Sequence, residues 1–337
     1  MENPSIISDR YQEAVSLFDK GNLTDAETIL LKLAEENKDD YDVLNFLGII
    51  NLTNKNFKEA AEYFSDVLSL CGFHIHACYN LGLCYQNLED YDSALIYYQK
   101  VTELDSRHFD AVSNSGLIYL LQREYNLAES CFNYCLSIKP GDTLTYVNLG
   151  HTYLKMEKYS EAKENFLTAI NAEPSNPLFY FNLAIAYEKN AEYGLAEEYY
   201  KKALELNPEY DDVYNNLALL YTKNSRHKEA EECIAKINQN RFSKAALLTN
   251  KAVSKMSLRR LSEARLLLEE ALTIEPDTPE IHYNYSHILL LNGDLKNGFR
   301  EYEWRTKRND FQGKKIKKPL KTGVDINGLR ILVKAEQ

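Results

Sequence analysis

Seven asparagines recur at one spacing and form the most regular set of polar side chains in this 337-residue sequence. Each follows the previous one by 34 residues: Asn80, Asn114, Asn148, Asn182, Asn216, Asn250 and Asn284. A carboxamide offers one hydrogen-bond acceptor and two donors. This set, which we call the asparagine ladder, therefore has the chemistry to pair with the C=O and N–H groups of an extended peptide without reading its side chains.

Other residues with potential for chemistry form weaker sets. Cys71, His74, His76 and Cys78 lie close together, but their spacing matches no common structural zinc site. Cys135 falls on an apolar helix stripe, where packing is the expected role. The sequence has no glycine-rich phosphate loop, no Ser/His/Asp set and no His-Glu-x-x-His motif. We therefore expect no catalytic residues, no bound metal and no cofactor.

The elements that position the ladder follow from small residues with the same period. Eight alanines stand 34 residues apart: Ala26, Ala60, Ala94, Ala128, Ala162, Ala196, Ala230 and Ala264. Twelve residues before each stands another small residue: Ala14, Gly48, Gly82, Gly116, Gly150, Ala184, Ala218 and Ala252. A fixed period of this length with two small places indicates an array of helix–turn–helix repeats.

The small residues have a mechanical explanation. Large apolar residues flank each of them at helical spacing, so each helix presents one apolar face, as Leu149 and Tyr153 do around Gly150. Where two helices cross at about 8–10 Å, a bulky side chain would force them apart. The second helix is expected to stop near a proline, as at Pro140, Pro174, Pro208 and Pro276.

This pattern resembles the tetratricopeptide repeat family. The fifth repeat carries a near-complete motif: Tyr146, Leu149, Gly150, Tyr153, Ala162, Phe166, Ala169 and Pro174. The repeats are predicted at 7–40, 41–74, 75–108, 109–142, 143–176, 177–210, 211–244 and 245–278. The resemblance implies an all-α fold, a right-handed superhelix (α-solenoid) of eight helix–turn–helix repeats plus a ninth, divergent capping unit.

Two explanations compete for the asparagine ladder. Each ladder residue lies two places before the small residue of its helix, about 160° around the helix from it. In the first explanation the ladder is structural, because asparagine is common at this place in tetratricopeptide repeats and can bond the neighbouring helix. The second rests on a resemblance to the superhelix of O-GlcNAc transferases, in which such a ladder on the concave surface holds a peptide by its main chain.

Composition and charge limit the classes of partner and the cellular location that we expect for this chain. Residues 1–295 carry a net charge of −18, which disfavours nucleic acid as a partner. No stretch approaches the roughly 20 apolar residues of a membrane span. The six cysteines look like reduced core residues rather than a disulfide framework, which favours a cytoplasmic location.

The C-terminal segment differs from the repeats. Residues 296–330 hold 11 Lys and Arg against 4 Asp and Glu. Segments 290–305 and 328–337 resemble the junction between a tetratricopeptide arm and a glycosyltransferase-B-type domain in bacterial proteins. That resemblance implies a chain cut at the start of a catalytic domain. It divides the chain into a tail (1–6), the superhelix (7–310), a basic linker (311–327) and a first strand (328–337).

These observations predict a protein–protein interaction module that binds extended peptide segments on its concave face. The transferase resemblance implies the substrate-recruiting arm of a longer glycosyltransferase, while the chain given would not itself be an enzyme. The alternative is a free-standing adaptor or assembly scaffold without a linked enzyme. Both hypotheses place protein or peptide segments on the ladder, and neither requires a membrane or nucleic acid.

Overall fold

The computed structural model describes residues 4–237 and 243–307 of the chain. Within these ranges the secondary structure is entirely helical, with 18 α-helices followed by one short 3-10 helix and no strand. The chain divides into two compact units, Met1–Tyr210 and Asp211–Gln337, which we call the first and second unit. Their boundary coincides with the predicted boundary between the sixth and seventh repeats.

The first unit contains twelve helices that follow one another along the chain. Their bounds are α1 Pro4–Asp19, α2 Leu23–Glu36, α3 Tyr41–Thr53, α4 Phe57–Cys71, α5 Ile75–Asn87, α6 Tyr91–Leu104, α7 Phe109–Leu121, α8 Tyr125–Ile138, α9 Thr143–Lys155, α10 Tyr159–Ala172, α11 Pro177–Lys189 and α12 Tyr193–Leu206. Each odd-numbered helix packs against the even-numbered helix that follows it. These pairs are the first six predicted repeats.

The second unit continues the same order with six helices in its described part. They are α13 Asp211–Lys223, α14 His227–Lys236, α15 Lys244–Ser257, α16 Leu261–Ile274, α17 Pro279–Leu291 and α18 Leu295–Tyr302, and the 3-10 helix Glu303–Lys307 follows. They pack as three successive pairs. The prediction of eight helix–turn–helix repeats followed by a ninth, divergent unit is therefore confirmed.

The two ends of the chain differ in how they compare with the predicted division. Helix α1 begins at Pro4, so it includes residues that the sequence analysis assigned to the tail 1–6. The predicted basic linker 311–327 and first strand 328–337 lie outside the described residues. The second helices end as expected, since α8, α10, α12 and α16 each stop two residues before Pro140, Pro174, Pro208 and Pro276.

The turn inside every pair uses a feature that the sequence did not reveal. One residue in each of these turns has a positive φ, again at a spacing of 34: Gly21, Lys55, Glu89, Arg123, Glu157, Ala191, Ser225, Arg259 and Gly293. In the fifth repeat the Glu157 N–H donates to the Leu154 carbonyl at 3.2 Å, and the Lys158 N–H donates to the Tyr153 carbonyl at 2.9 Å. This is the Schellman pattern, which satisfies the last carbonyls of the first helix. Seven of these nine places hold a residue other than glycine, so the hydrogen bonds rather than glycine fix the turn.

The small residues lie where their proposed mechanical role requires. A Cβ atom built on Gly150 would lie 2.5 Å from Cε1 of Phe166, and one built on Gly82 would lie 2.6 Å from Cε1 of Tyr98. Both rings are fully buried. The aromatic ring of the second helix thus occupies the space that a side chain on the first helix would need, which confirms the reason for the small place.

We expect Gly150→Leu to destabilise the fold because its side chain would collide with the fully buried Phe166 ring. Overpacking of a filled core costs about 1–3 kcal/mol. Gly194→Leu is the matched control, since Gly194 is exposed in α12 and no heavy atom lies within 4 Å of a Cβ built on it. Thermal denaturation followed by circular dichroism would compare the two. Equal midpoints for both variants would contradict the close contact at Gly150.

Candidate functional site

The asparagine ladder occupies the first helix of each repeat from the third onward. In the first unit the ladder residues lie on α5, α7, α9 and α11, and in the second unit they lie on α13, α15 and α17. All seven fall within the described residues. In each helix the ladder residue is two places before the small residue, so it points away from the second helix of its own repeat.

The ladder is less accessible than a row on an open surface would be. Asn148 is 9 % exposed and Asn182 is 2 % exposed, and the other five are half-buried. One contribution to this burial is that several consecutive first helices touch. In the first unit α3 contacts α5 and α7 contacts α9, and in the second unit α13 contacts α15 and α15 contacts α17. The far side of these first helices therefore lies partly against a neighbouring first helix.

Hydrogen bonds of the ladder also run between repeats, as at Asn114 and Asn250. Asn114 donates through Nδ2 to the hydroxyls of Tyr79 at 3.3 Å and Tyr98 at 3.4 Å, both in the preceding repeat. Burial raises the pKa of both tyrosines, so their hydroxyls stay neutral and can accept. In the second unit the Asn250 amide donates to Asn215 of the preceding repeat. These contacts are those that the structural explanation of the ladder predicts.

Asn182 is different, because its Nδ2 is buried and has no hydrogen-bond partner among the described residues. A buried donor without an acceptor costs about 1–3 kcal/mol. Four residues before it on α11 is Leu178, 42 % exposed, and four residues before Asn148 on α9 is Leu144, 64 % exposed. Residues four apart share a helix face. Both α9 and α11 therefore carry one buried amide and one exposed leucine on the same face.

The sequence analysis missed these two leucines. The signal was present, because the same place in the three preceding repeats holds Asp42, His76 and Asp110. When one fixed place of a repeat changes from a polar to an apolar residue, the surface of that repeat differs in polarity from the surface of its neighbours. It passed unnoticed because an apolar residue in a helix is by itself unremarkable.

The cysteines and histidines considered earlier serve the repeat structure. His74 accepts the Ala77 N–H through Nδ1 at 3.1 Å and so caps the start of α5, and Cys78 is 1 % exposed. Among the described residues, no three His, Cys, Asp or Glu are grouped to hold a metal ion. Burial raises the pKa of the Cys84 thiol to about 12 and that of Cys135 to about 12. These thiols are packed in the core and poorly suited to nucleophilic chemistry.

We expect Cys84 and Cys135 to resist alkylation by iodoacetamide at pH 8 in the folded chain. The thiolate is the reactive form, and a pKa raised from 9.0 to about 12 lowers its fraction at this pH on the order of a thousandfold. Peptide mapping by mass spectrometry would measure the labelling, with the chain unfolded in guanidinium chloride as the control. Equal labelling rates in the two states would contradict the burial of these thiols.

Within the described part of the chain, no helix is both long enough and apolar enough to cross a membrane. Three solved structures share the arrangement of helices. A tetratricopeptide repeat protein from Parabacteroides merdae aligns with a TM-score of 0.55 and 17 % identity, covering 84 % of this chain and 98 % of that one. The C-terminal part of a TPR repeat-containing protein from Cytophaga hutchinsonii aligns with a TM-score of 0.56 and 17 % identity, covering 81 % and 98 %.

The third is a chain of the APC/C hetero-tetramer Cut9-Hcn1, with a TM-score of 0.57 and 18 % identity, covering 82 % of this chain and 55 % of that one. At these identities the likeness concerns the fold alone. Helix pairs at a fixed 34-residue spacing, with small residues at the crossing, define a tetratricopeptide-repeat protein.

Within that class, the chain belongs to the family described as the cilia and flagella-associated protein 70 C-terminal domain, whose model matches residues 18–314. No curated protein matches the sequence. Repeats of this class generally mediate protein–protein interactions through the extended surface that they build. The family match and these three structures give no support to the resemblance with the glycosyltransferase junction.

Proposed function

We propose that this chain is a protein-interaction module that binds an extended peptide along the ladder face of the first unit. The binding segment is centred on α9 and α11. The observation that carries this proposal is the unpartnered Nδ2 of Asn182, which lies on the same helix face as the exposed Leu178. A peptide carbonyl would give this donor its missing acceptor.

The neighbouring leucines support the same site. Leu144 and Leu178 are large apolar side chains that are left exposed in consecutive first helices. An extended peptide presents its main-chain groups and its side chains alternately. Its apolar side chains would cover the leucines while its main chain bonds the ladder amides, so one segment satisfies both the polar and the apolar groups.

Charge favours a basic peptide. Residues 1–210 contain 16 Lys and Arg against 33 Asp and Glu, a net charge of −17. Such a field attracts oppositely charged partners and raises their association rate, and salt weakens it. The charge acts over the whole first unit, whereas the amides and leucines set where the peptide lies.

Two narrower hypotheses differ in the role that they give to this interaction module. In the first it is the substrate-recruiting arm of a glycosyltransferase, which rests on the sequence resemblance of segments 290–305 and 328–337 alone. In the second it is an adaptor or assembly scaffold with no linked enzyme. A cytoplasmic location is part of both hypotheses and rests on the unpaired cysteines. An open reading frame that continues past residue 337 into a glycine-rich nucleotide loop would favour the first.

The test compares the intact chain with an Asn148→Ala/Asn182→Ala variant in binding to a library of extended basic peptides. We expect the double variant to lose at least about fivefold in affinity, because each lost hydrogen bond contributes roughly 0.5–1.5 kcal/mol. Its helical content should be unchanged, since alanine is a better helix former than asparagine.

The matched control is Asn126→Ala/Asn171→Ala, which removes two exposed asparagines from the second helices α8 and α10. It should bind like the unmodified chain. A Leu144→Gln/Leu178→Gln variant should also bind more weakly, because it removes the apolar contacts while keeping the ladder. If ladder and control variants bind equally well, the ladder is a structural trait and the proposal is wrong.

A further inference from the structure

The second unit contains a cavity that the proposed peptide site does not use. It has a volume of about 500 Å³ and lies between α14, α15 and α16. Its walls are mainly apolar, formed by Ile234, Ala235, Leu266 and Leu267. Small-molecule sites in proteins typically occupy about 300–1,000 Å³ and are lined in this way.

The cavity lies beside a repeat that departs from the pattern. In the fifth, sixth and seventh repeats the residues just before and three places after the small residue are leucine and tyrosine, as in Leu149 and Tyr153. The eighth repeat has Lys251 and Lys255 at these places, and both line the cavity. A lysine keeps its ammonium group near water while its stem covers apolar surface. The volume that leucine and tyrosine would fill therefore stays open.

A residue with a buried hydroxyl lines this space. Ser254 lines the cavity, is 1 % exposed, and its Oγ has no hydrogen-bond partner among the described residues. Other helical hydroxyls in this chain bond the carbonyl four residues earlier, as Thr249 does to Ala245 at 2.8 Å. Because Ser254 does not, its hydroxyl is available to a bound molecule.

The charges around the cavity leave one cation without a partner. Lys255 pairs with Glu231 at 2.6 Å, and the hydrogen bond from Lys255 holds the pKa of Glu231 below its usual value. Glu263 is held by Arg260 at 2.5 Å. Lys251 has no hydrogen bond or ion pair with any described residue. It lies on α15 three residues before Ser254, so both face the same side of the helix.

We propose that this cavity binds a small amphipathic carboxylate, such as a medium-chain fatty acid. The hydrocarbon chain lies against Ile234, Leu266 and Leu267. The carboxylate accepts hydrogen bonds from the Lys251 ammonium and the Ser254 hydroxyl. Charge complementarity selects this ligand, because the two acidic groups of the lining are already paired and the free group is a cation.

The first unit supplies a natural comparison. Its fourth repeat has Ser115 at the place of Lys251, and a cavity of about 420 Å³ opens there between α6, α7 and α8. The lining of this second cavity contains no lysine, arginine or histidine. The Ser115 hydroxyl donates to the Ala111 carbonyl at 2.8 Å and is not free. By this reasoning the cavity beside Ser115 does not bind the carboxylate.

The experiment is calorimetric titration of decanoate, below its micelle concentration, into the intact chain. We expect one saturable site per chain. Ser254→Ala should raise the Kd several-fold, and 1-decanol should bind at least about tenfold more weakly than decanoate because it lacks the charge. The Lys251→Leu/Lys255→Tyr variant refills the cavity with the residues of the other repeats and should not bind.

Circular dichroism would check that the Lys251→Leu/Lys255→Tyr variant is folded. If that variant is unfolded, Lys251→Met, which removes only the charge, would test whether the ammonium group is needed for binding. Loss of binding in Lys251→Met supports the proposal. Decanoate binding that survives filling, equal binding of decanol, or no saturable binding to the unmodified chain would each overturn it. The last result would leave the cavity to an apolar side chain of a partner protein. None of these outcomes depends on the peptide site of the first unit.

Discussion

The repeats depend on one contact, between a small residue on each first helix and a side chain of the following helix. At Gly150 the Phe166 ring fills the space that a Cβ atom would take. This contact fixes how closely the two helices approach and how each is rotated about its axis. Because rotation decides which residues face the partner, the contact also decides which residues face outward. The same contact every 34 residues gives every repeat the same orientation of its surface.

The asparagine ladder is a consequence of that orientation. A residue two places before the small one is directed towards neighbouring first helices and the surface beyond them. A polar side chain at this place can therefore bond either a neighbouring helix or a molecule on the surface. Asn114 serves the fold, since its amide joins two tyrosines of the preceding repeat. Asn182 lacks such a partner. The same residue at one place of the repeat therefore has different hydrogen-bonding surroundings in different copies.

Departures from the repeat carry the specific features of this chain. Exposed leucines appear where the three preceding repeats have polar residues, and two lysines appear where the three repeats before them have leucine and tyrosine. Each departure changes one surface or one cavity and leaves the helix pairs intact, because a repeat contacts only its neighbours. A solenoid can therefore vary its binding sites without altering its fold.

The sequence by itself determined the helix pairs, their boundaries to within a few residues and the reason for the small places. These follow from side-chain bulk and periodicity, which are local properties of each repeat. Only the tertiary structure decided that residues such as Glu157 adopt a positive φ, because hydrogen bonds in the turn, not a glycine, impose it. It also decided the burial of the ladder and the cavity beside Lys251. Both depend on how neighbouring helices fill space together, and no single repeat contains that information.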